Sequence, residues 1–432
     1  MDNVVLIGLD GGASEAKAHA VSCDSLETPT SFTLQPESAA RVYRSLPAFT
    51  PLPVAEQIAQ RDAGLAQLGE YEREQGALFI AAAAEAIIDV ARQCAAKRVL
   101  VGAGMPGLKT ADRRGIAAIN NGPRMPDYLD QLESRLTDAD LELRAPIAEL
   151  GSDADYCGLG EQYAADGLFR DVENAYYVGC GTGIADAMKL RGELVPFDDC
   201  KSWIQKSWQM PSALGPTFEK LVSASSLNDV YARLKRGTEK RRHGGTEKKR
   251  HGGEQADAGG TAVSAVFDDG DATGSLVVDQ FPEQAAADGD PLAVAWLDTA
   301  ALILAELIFE RIRTIKNGRA DAPHRGETYD ALEMNHEYRG IVLERVVIGQ
   351  RLGQVYGDTR FRNLFTDHVD RYLAGMIAAC GDAQLAARTL DSEALRAGRL
   401  CASALRAAPA LGAAIAAVRA HAARSAAPPP DP

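Results

Sequence analysis

Two α/β domains are what this sequence predicts, and three observations lead there. The chain has 432 residues, more than one ordinary core accommodates. Short apolar runs of strand character alternate with longer helical segments, the order of α/β layers. Several of those runs enter glycine-rich turns, where backbone amides lie open to a ligand.

The first run, Val4 to Leu9, ends in Asp10-Gly11-Gly12, and Lys17 to Ser22 returns as its hairpin partner. Leu26 to Pro53 is rich in Ser, Thr and Pro and carries no clear period. Ala77 to Cys94 is an Ala-rich helix, followed by a buried strand at Arg98 to Val101 that enters Gly102-Ala103-Gly104-Met105-Pro106-Gly107. Pro126 to Leu136 reads as a helix with proline in its first turn. Ala145 to Leu150 is a strand, then Gly151-Ser152-Asp153 opens a helix to about Ala165. Ala175 to Val178 is a strand entering Gly179-Cys180-Gly181-Thr182-Gly183, with a second turn at Arg191-Gly192. Pro291 to Ile315 is a long helix, Glu344 to Ile348 a strand leading to Gly349, and the remainder is helical.

Residues 237–244 and 245–252 nearly duplicate one another, and Gly, Asp and Ala dominate to about Asp290. With no apolar period, residues 237–285 read as a disordered insertion, and 424–432 as a disordered Pro-rich tail. His243 and His251 within the repeat read as a solvated loop and not as a metal site. The domains are therefore expected at residues 1–150 and 151–432.

Composition excludes several classes. Apolar residues make up 46% and charged residues 25%, a soluble globular balance. A net charge of −14 gives no basic field for nucleic acid. Thr299 to Phe309 carries Glu306 and is closely followed by Arg311 and Arg313, so it reads as a buried helix and not a membrane span. The seven cysteines are scattered without a C-x-x-C pair, and the first residues lack a cationic secretory leader; a reducing cytoplasm fits both.

Four turns can carry chemistry. Asp10 at a strand end, with Gly11 and Gly12 behind it, can hold hydrated Mg²⁺ while the amides face phosphate oxygens, and Ser14 and Lys17 follow in reach. The same residues also read as a plain Asp-Gly hairpin. Gly181-Thr182-Gly183 supplies amides and a hydroxyl to a β- or γ-phosphate, or is a structural turn. Asp153 suits a general base for a substrate hydroxyl, or an ordinary helix cap. Gly349 to Gly353 suits a flat adenine, or a simple connection. Neither a P-loop nor a G-x-G-x-x-G fingerprint opening a helix is present.

Taken in order, these turns resemble the ROK sugar kinases of the actin/hexokinase/heat-shock-protein superfamily, over about residues 4–225 and 290–423. Gly8-Leu9-Asp10-Gly11-Gly12 resembles the first phosphate loop, and Gly181-Thr182-Gly183-Ile184 the second. Gly104-Met105-Pro106-Gly107 and Asn120-Asn121-Gly122-Pro123 resemble the Gly-x-Pro-Gly turn and the sugar-binding Asn. Asp153 matches the leading Asp of the catalytic segment, and Val346-Val347-Ile348-Gly349 the adenosine turn. The resemblance implies a two-domain actin-like ATPase fold of the ribonuclease-H type, with the last helix crossing back to the first domain. It implies ATP and Mg²⁺ as cofactors, a sugar or polyol acceptor, and leaves room for a homodimer.

The chain departs from that family at the substrate. Val195-Pro196-Phe197-Asp198-Asp199-Cys200-Lys201-Ser202-Trp203 stands where the family has Glu-x-Gly-His, and the zinc-binding cysteines are missing. Asp198 and Lys201, with an indole close by, become the candidate replacements beside Gly107, Asn120 and Asn121. A sugar-responsive DNA-binding repressor would need a segment ahead of Val4, and an iron–sulfur activator ATPase would need paired cysteines. A cluster-free actin-like ATPase and a degenerate sugar-binding protein stay open as alternatives.

Overall fold

The computed structural model describes residues 4–12, 14–65, 67–243, 280–319, 323–389 and 399–426. The chain divides into two compact units: Met1–Arg170 with Leu405–Pro432, and Asp171–Ala404. This replaces the expected division at 150/151. The helix Asp153–Tyr163 packs in the first unit, against the helix Ala408–Ala426 that returns to it.

The first unit is built on β1 (Val4–Gly11), β2 (Glu15–Cys23), β3 (Phe32–Val42), β4 (Arg98–Gly104), β5 (Leu108–Lys109), β6 (Ile116–Ala118), β7 (Glu142–Leu143) and β8 (Leu150–Gly151). Its main sheet runs β3-β2-β1-β4-β7, with β8 also pairing β4. β1, β2 and β3 form an antiparallel meander, whereas β4 joins β1 in parallel. β3 is an edge strand that the Ser/Thr/Pro-rich sequence did not reveal; its residues are mostly exposed or half-buried, so the apolar period is weak. The strand expected at Ala145 to Leu150 is instead two short pieces, β7 and β8, with a bend at Arg144 and Ala145 between them.

One face of this sheet buries the helix Glu70–Gln93, with Phe79, Ile80, Ile87 and Val90 in the core. The other face takes the helix Ala408–Ala426, whose Leu411, Ala414 and Ile415 pack with Leu6 and Leu100. That approach is close enough to require glycine: a Cβ on Gly8 would lie 1.8 Å from the carbonyl oxygen of Ala410, and one on Gly102 equally near that of Ala413.

The second unit has β9 (Ala175–Cys180), β10 (Ile184–Leu190), β11 (Glu193–Val195), β12 (Arg345–Gly349) and β13 (Leu400–Ala402). Their order is β11-β10-β9-β12-β13, an antiparallel meander followed by two parallel strands, the same pattern as the first unit. β13 interrupts the stretch expected to be all helical.

Its core is organised by the helix Pro291–Asn317. Asp290 caps it, accepting from the amides of Leu292 and Ala293 at 2.8 and 3.3 Å, Pro291 sits at its start, and Gly318 (φ +69°) ends it. By length and composition it is the one described helix apolar enough to cross a membrane. Its Trp296, Leu297, Ile303, Leu304, Leu307 and Ile308 are buried in the core, and so are Glu310, Arg311 and Arg313.

The segment 237–285 is not one insertion. The helix Ala224–His243 runs into its start, and the helix Pro282–Ala287 closes its end with Ala285 and Ala286 buried. Residues 244–279, with His251, lie outside the described residues, as do 427–432; residues 424–426 of the expected tail belong to the last helix.

Candidate functional site

Strand register brings the first unit's carboxylates together. Asp10 pairs with Gly104 across β1 and β4, and Gly104 pairs with Gly151 across β4 and β8. Asp153 follows two residues later as the first residue of its helix. Tyr156, from that same helix, fills the space over the two glycines: a Cβ would stand 2.8 Å from its ring at Gly104 and 2.1 Å from it at Gly151. Its hydroxyl donates to the Ala103 carbonyl at 3.3 Å, which fixes the start of the helix against β4. Ser152, the residue before the helix, makes no side-chain capping bond.

Asp10 is partly buried at the strand end, and burial pushes its carboxyl up to about 7. The charge of Asp153 adds to that rise, Lys17 opposes it, and Glu15 adds a smaller push. Lys17 meanwhile pairs with Glu15 at 2.8 Å. A desolvated carboxylate pressed by a second acid has too little counter-charge, which is the electrostatic complement of a divalent cation. The donor set therefore fits hydrated Mg²⁺ at Asp10. Among the described residues no group of three or more His, Cys, Asp or Glu forms a fuller cation cage.

The phosphate-binding expectation for Gly12 needs correction. Its amide donates to the Glu15 carbonyl at 2.9 Å, so the hairpin has taken it up. The Ser14 carbonyl likewise accepts from Tyr43, fastening the loop to the residue after β3.

Gly107 (φ +97°) turns the chain between β4 and β5, packed against Ala118 and Ile119. Asn120 and Asn121 follow β6 on an exposed turn, Asn121 in the left-handed region (φ +56°) that Asn tolerates better than most residues. Two side chains invisible to sequence reading hold this turn. Fully buried Gln57 accepts from the Ile119 amide and donates to its carbonyl, both at 2.9 Å. Arg124 forms a buried bidentate pair with Glu72, both bonds at 2.8 Å, and reaches Gln60 as well. Burial works against the Glu72 charge, but the Arg124 hydrogen bonds outweigh it and leave the carboxyl below its usual range.

In the second unit, Gly181-Thr182-Gly183 is the tip of the β9–β10 hairpin. The Gly181 amide donates to the Gly183 carbonyl at 3.0 Å, so it too is engaged, contrary to expectation. The amides of Thr182 and Gly183 are the two at the tip not taken up in these bonds. Glu219 accepts from the Ile184 amide at 2.9 Å, the Ala224 amide donates to the Gly181 carbonyl at 2.6 Å, and the Ser225 hydroxyl donates to the Thr182 carbonyl at 2.5 Å. Gly349 lies opposite Gly179 in the parallel β9–β12 ladder, so the glycine turn and the helix Gln350–Gly357 leave the same end of the sheet.

Asp198 and Lys201 sit on an exposed turn and pair with one another at 3.0 Å, and Lys206 joins Asp198 at 3.1 Å. Trp203 is buried with one face stacked on His336 at 3.9 Å, which removes it as a surface for a sugar ring. Trp208 is 47% exposed. The local pairing explains this segment without a ligand.

No family model matches the sequence. No curated protein matches it. Solved structures do resemble it. A ROK family glucokinase from Streptomyces griseus, in complex with glucose and AMPPNP, superposes with a TM-score of 0.51 at 14% identity, covering 96% of this chain and 99% of the other. A ROK hexokinase from Thermus thermophilus gives 0.45 at 15% identity over 95% and 97%. A ROK family transcriptional regulator, a homologue of the E. coli MLC protein, gives 0.43 at 13% identity over 98% and 80%. At such identities the likeness is one of fold, and the glucokinase carries it: this chain has the two-domain actin-like fold of the ROK kinases.

Proposed function

We propose that the chain is an ATP-dependent phosphotransferase that moves the γ-phosphate to a hydroxyl of a sugar or sugar-like small molecule. The observation that supports this most is the Asp10 and Asp153 pair, two carboxylates held at one sheet end by the β1–β4–β8 register. Phosphoryl transfer asks little covalent chemistry of a protein; orientation of the hydroxyl and neutralisation of phosphate charge supply most of the acceleration.

In this reading Asp153 accepts the proton of the attacking hydroxyl, and Asp10 holds the water shell of Mg²⁺. The bound Mg²⁺ supplies charge neutralisation at the phosphates. Gly11, Ser14 and Lys17 line the first phosphate turn, Thr182 and Gly183 offer amides from the second, and Gly349 approaches the adenosine. Asn121, or Asn120 beside it, binds a substrate hydroxyl over the Gly107 turn. The reading makes it a cytoplasmic protein, in keeping with seven cysteines that all remain free thiols.

The test is ADP release across a panel of sugars, amino sugars and polyols, with Asp153→Asn as control. A sugar-dependent rate that the control lacks supports the proposal; sugar-independent ATP hydrolysis points to an actin-like ATPase. Sugar binding without turnover is the outcome for a degenerate relative, a reading favoured by the engaged amides of Gly12 and Gly181.

A further inference from the structure

The helix Gln350–Gly357, which follows β12, contains a residue that none of the roles above uses. Arg351 stands two positions after Gly349, and its guanidinium is engaged on every side. It forms a fork with Glu283, with Nε to Oε1 at 3.0 Å and Nη2 to both carboxylate oxygens at 2.7 Å. Nη1 donates to the Asn228 side chain at 3.1 Å and to the Ala224 carbonyl at 3.4 Å. Its flat face lies 4.0 Å from the ring centre of Phe281. The Arg351–Glu283 pair is largely out of water, with side-chain exposures of 20% and 12%, where a bidentate charge-assisted bond is strong and directional.

The partners give the contact its meaning. Ala224 and Asn228 belong to the first turns of the helix Ala224–His243, and the start of that helix holds the glycine tip. The Ala224 amide bonds the Gly181 carbonyl, and the Ser225 hydroxyl bonds the Thr182 carbonyl. Gln350, immediately before Arg351, adopts a left-handed backbone (φ +58°) and places its side-chain oxygen where a Cβ on Gly181 would stand. Arg351 thus ties the helix after β12 to the helix start that fixes the turn after β9. Phe281 and Glu283, on the far side of residues 244–279, brace it there.

We propose that Arg351 is a positioning residue for the Gly181–Gly183 turn: its fork to Glu283 and its bonds to Ala224 and Asn228 set where the tip amides stand. Lysine cannot do this, because an ammonium lacks the planar fork that serves three partners at once. Its consequence for nucleotide affinity rests on the reading of this turn as a phosphate loop; its consequence for the turn itself does not.

Two measurements on the 432-residue chain keep those apart. Hydrogen exchange of the free protein should show the amides of the 181–184 segment exchanging about tenfold faster in Arg351→Lys, with the first unit unchanged. Asn228→Ala, which keeps the Glu283 fork, should show a smaller increase, and it stands in should Arg351→Lys fold poorly. Calorimetric titration with Mg·ATP should then show roughly tenfold weaker binding in Arg351→Lys, with kcat at saturating ATP changed far less than KM for ATP. Unchanged exchange at 181–184 in both variants would overturn the inference. Absence of Mg·ATP binding by the unaltered protein would overturn the phosphate-loop reading, and the exchange data would still decide the role of Arg351.

Discussion

Asp153 bears on Asp10 more strongly than any other charged group: after desolvation, its carboxylate contributes most to lifting the Asp10 carboxyl to about 7. The two acids come from a strand and a helix start far apart in sequence, joined through the Gly104–Gly151 pairing. Such a pair is costly to an empty protein and useful to one that binds a cation and a hydroxyl.

Asp153→Asn should therefore lower kcat for the true acceptor by on the order of 10²–10⁴, while Mg·ATP affinity stays near that of the unaltered protein. Steady-state kinetics and calorimetry on the same preparation check this. Full turnover in the variant would remove Asp153 from the role of base.

The pH dependence of stability offers a second check. The folded Asp10 holds its proton to about pH 7, well above the ordinary carboxylate range of the unfolded chain. Its favourable contribution is complete below the unfolded value and is lost as pH rises through about 7. Asp10→Asn removes that loss, so in metal-free buffer the variant should gain stability over the unaltered protein from pH 4 to 8. The gain should be on the order of 2–4 kcal/mol. Chemical denaturation at several pH values measures it, and a difference that does not change with pH would refute the coupling.

Deletion of residues 237–285 should destabilise the protein by several kcal/mol, the opposite of what composition suggested. It would remove Phe281 and Glu283 from Arg351 and take Ala285 out of the core. Thermal melts of the deletion against the full chain decide the matter.

Arg124→Met should cost about 3 kcal/mol, because it leaves the Glu72 carboxylate buried without its fork. The same change should raise KM for a sugar more than KM for ATP, since Arg124 holds the turn after Asn121. Denaturant titration and two-substrate kinetics separate the two effects.

The sequence announced its glycine turns and apolar strands because apolar runs and breakers are local signals. β3 escaped because its side chains are mostly exposed or half-buried, leaving little alternation to read. The engagement of the Gly12 and Gly181 amides also escaped, since a turn's own hydrogen bonds depend on its backbone path and not on residue type. Gln57, Arg124 and Arg351 were illegible for another reason: each acts on partners more than 50 residues away, and nothing in a polar side chain's identity names such a partner. Asp198 and Lys201 looked like ligand groups because their mutual pairing satisfies the same chemistry a ligand would.

The helix Ala408–Ala426 has a consequence for how the chain is made. It completes the face of the sheet formed by Leu6 and Leu100, yet the whole second unit is translated before it. During synthesis the contiguous second unit can consolidate first, while that apolar face waits uncovered for its last helix. Gly8 and Gly102, which let the helix sit against the strands, therefore govern a late step of maturation, and a pause in translation before residue 408 would lengthen the interval in which the nascent chain depends on a chaperone.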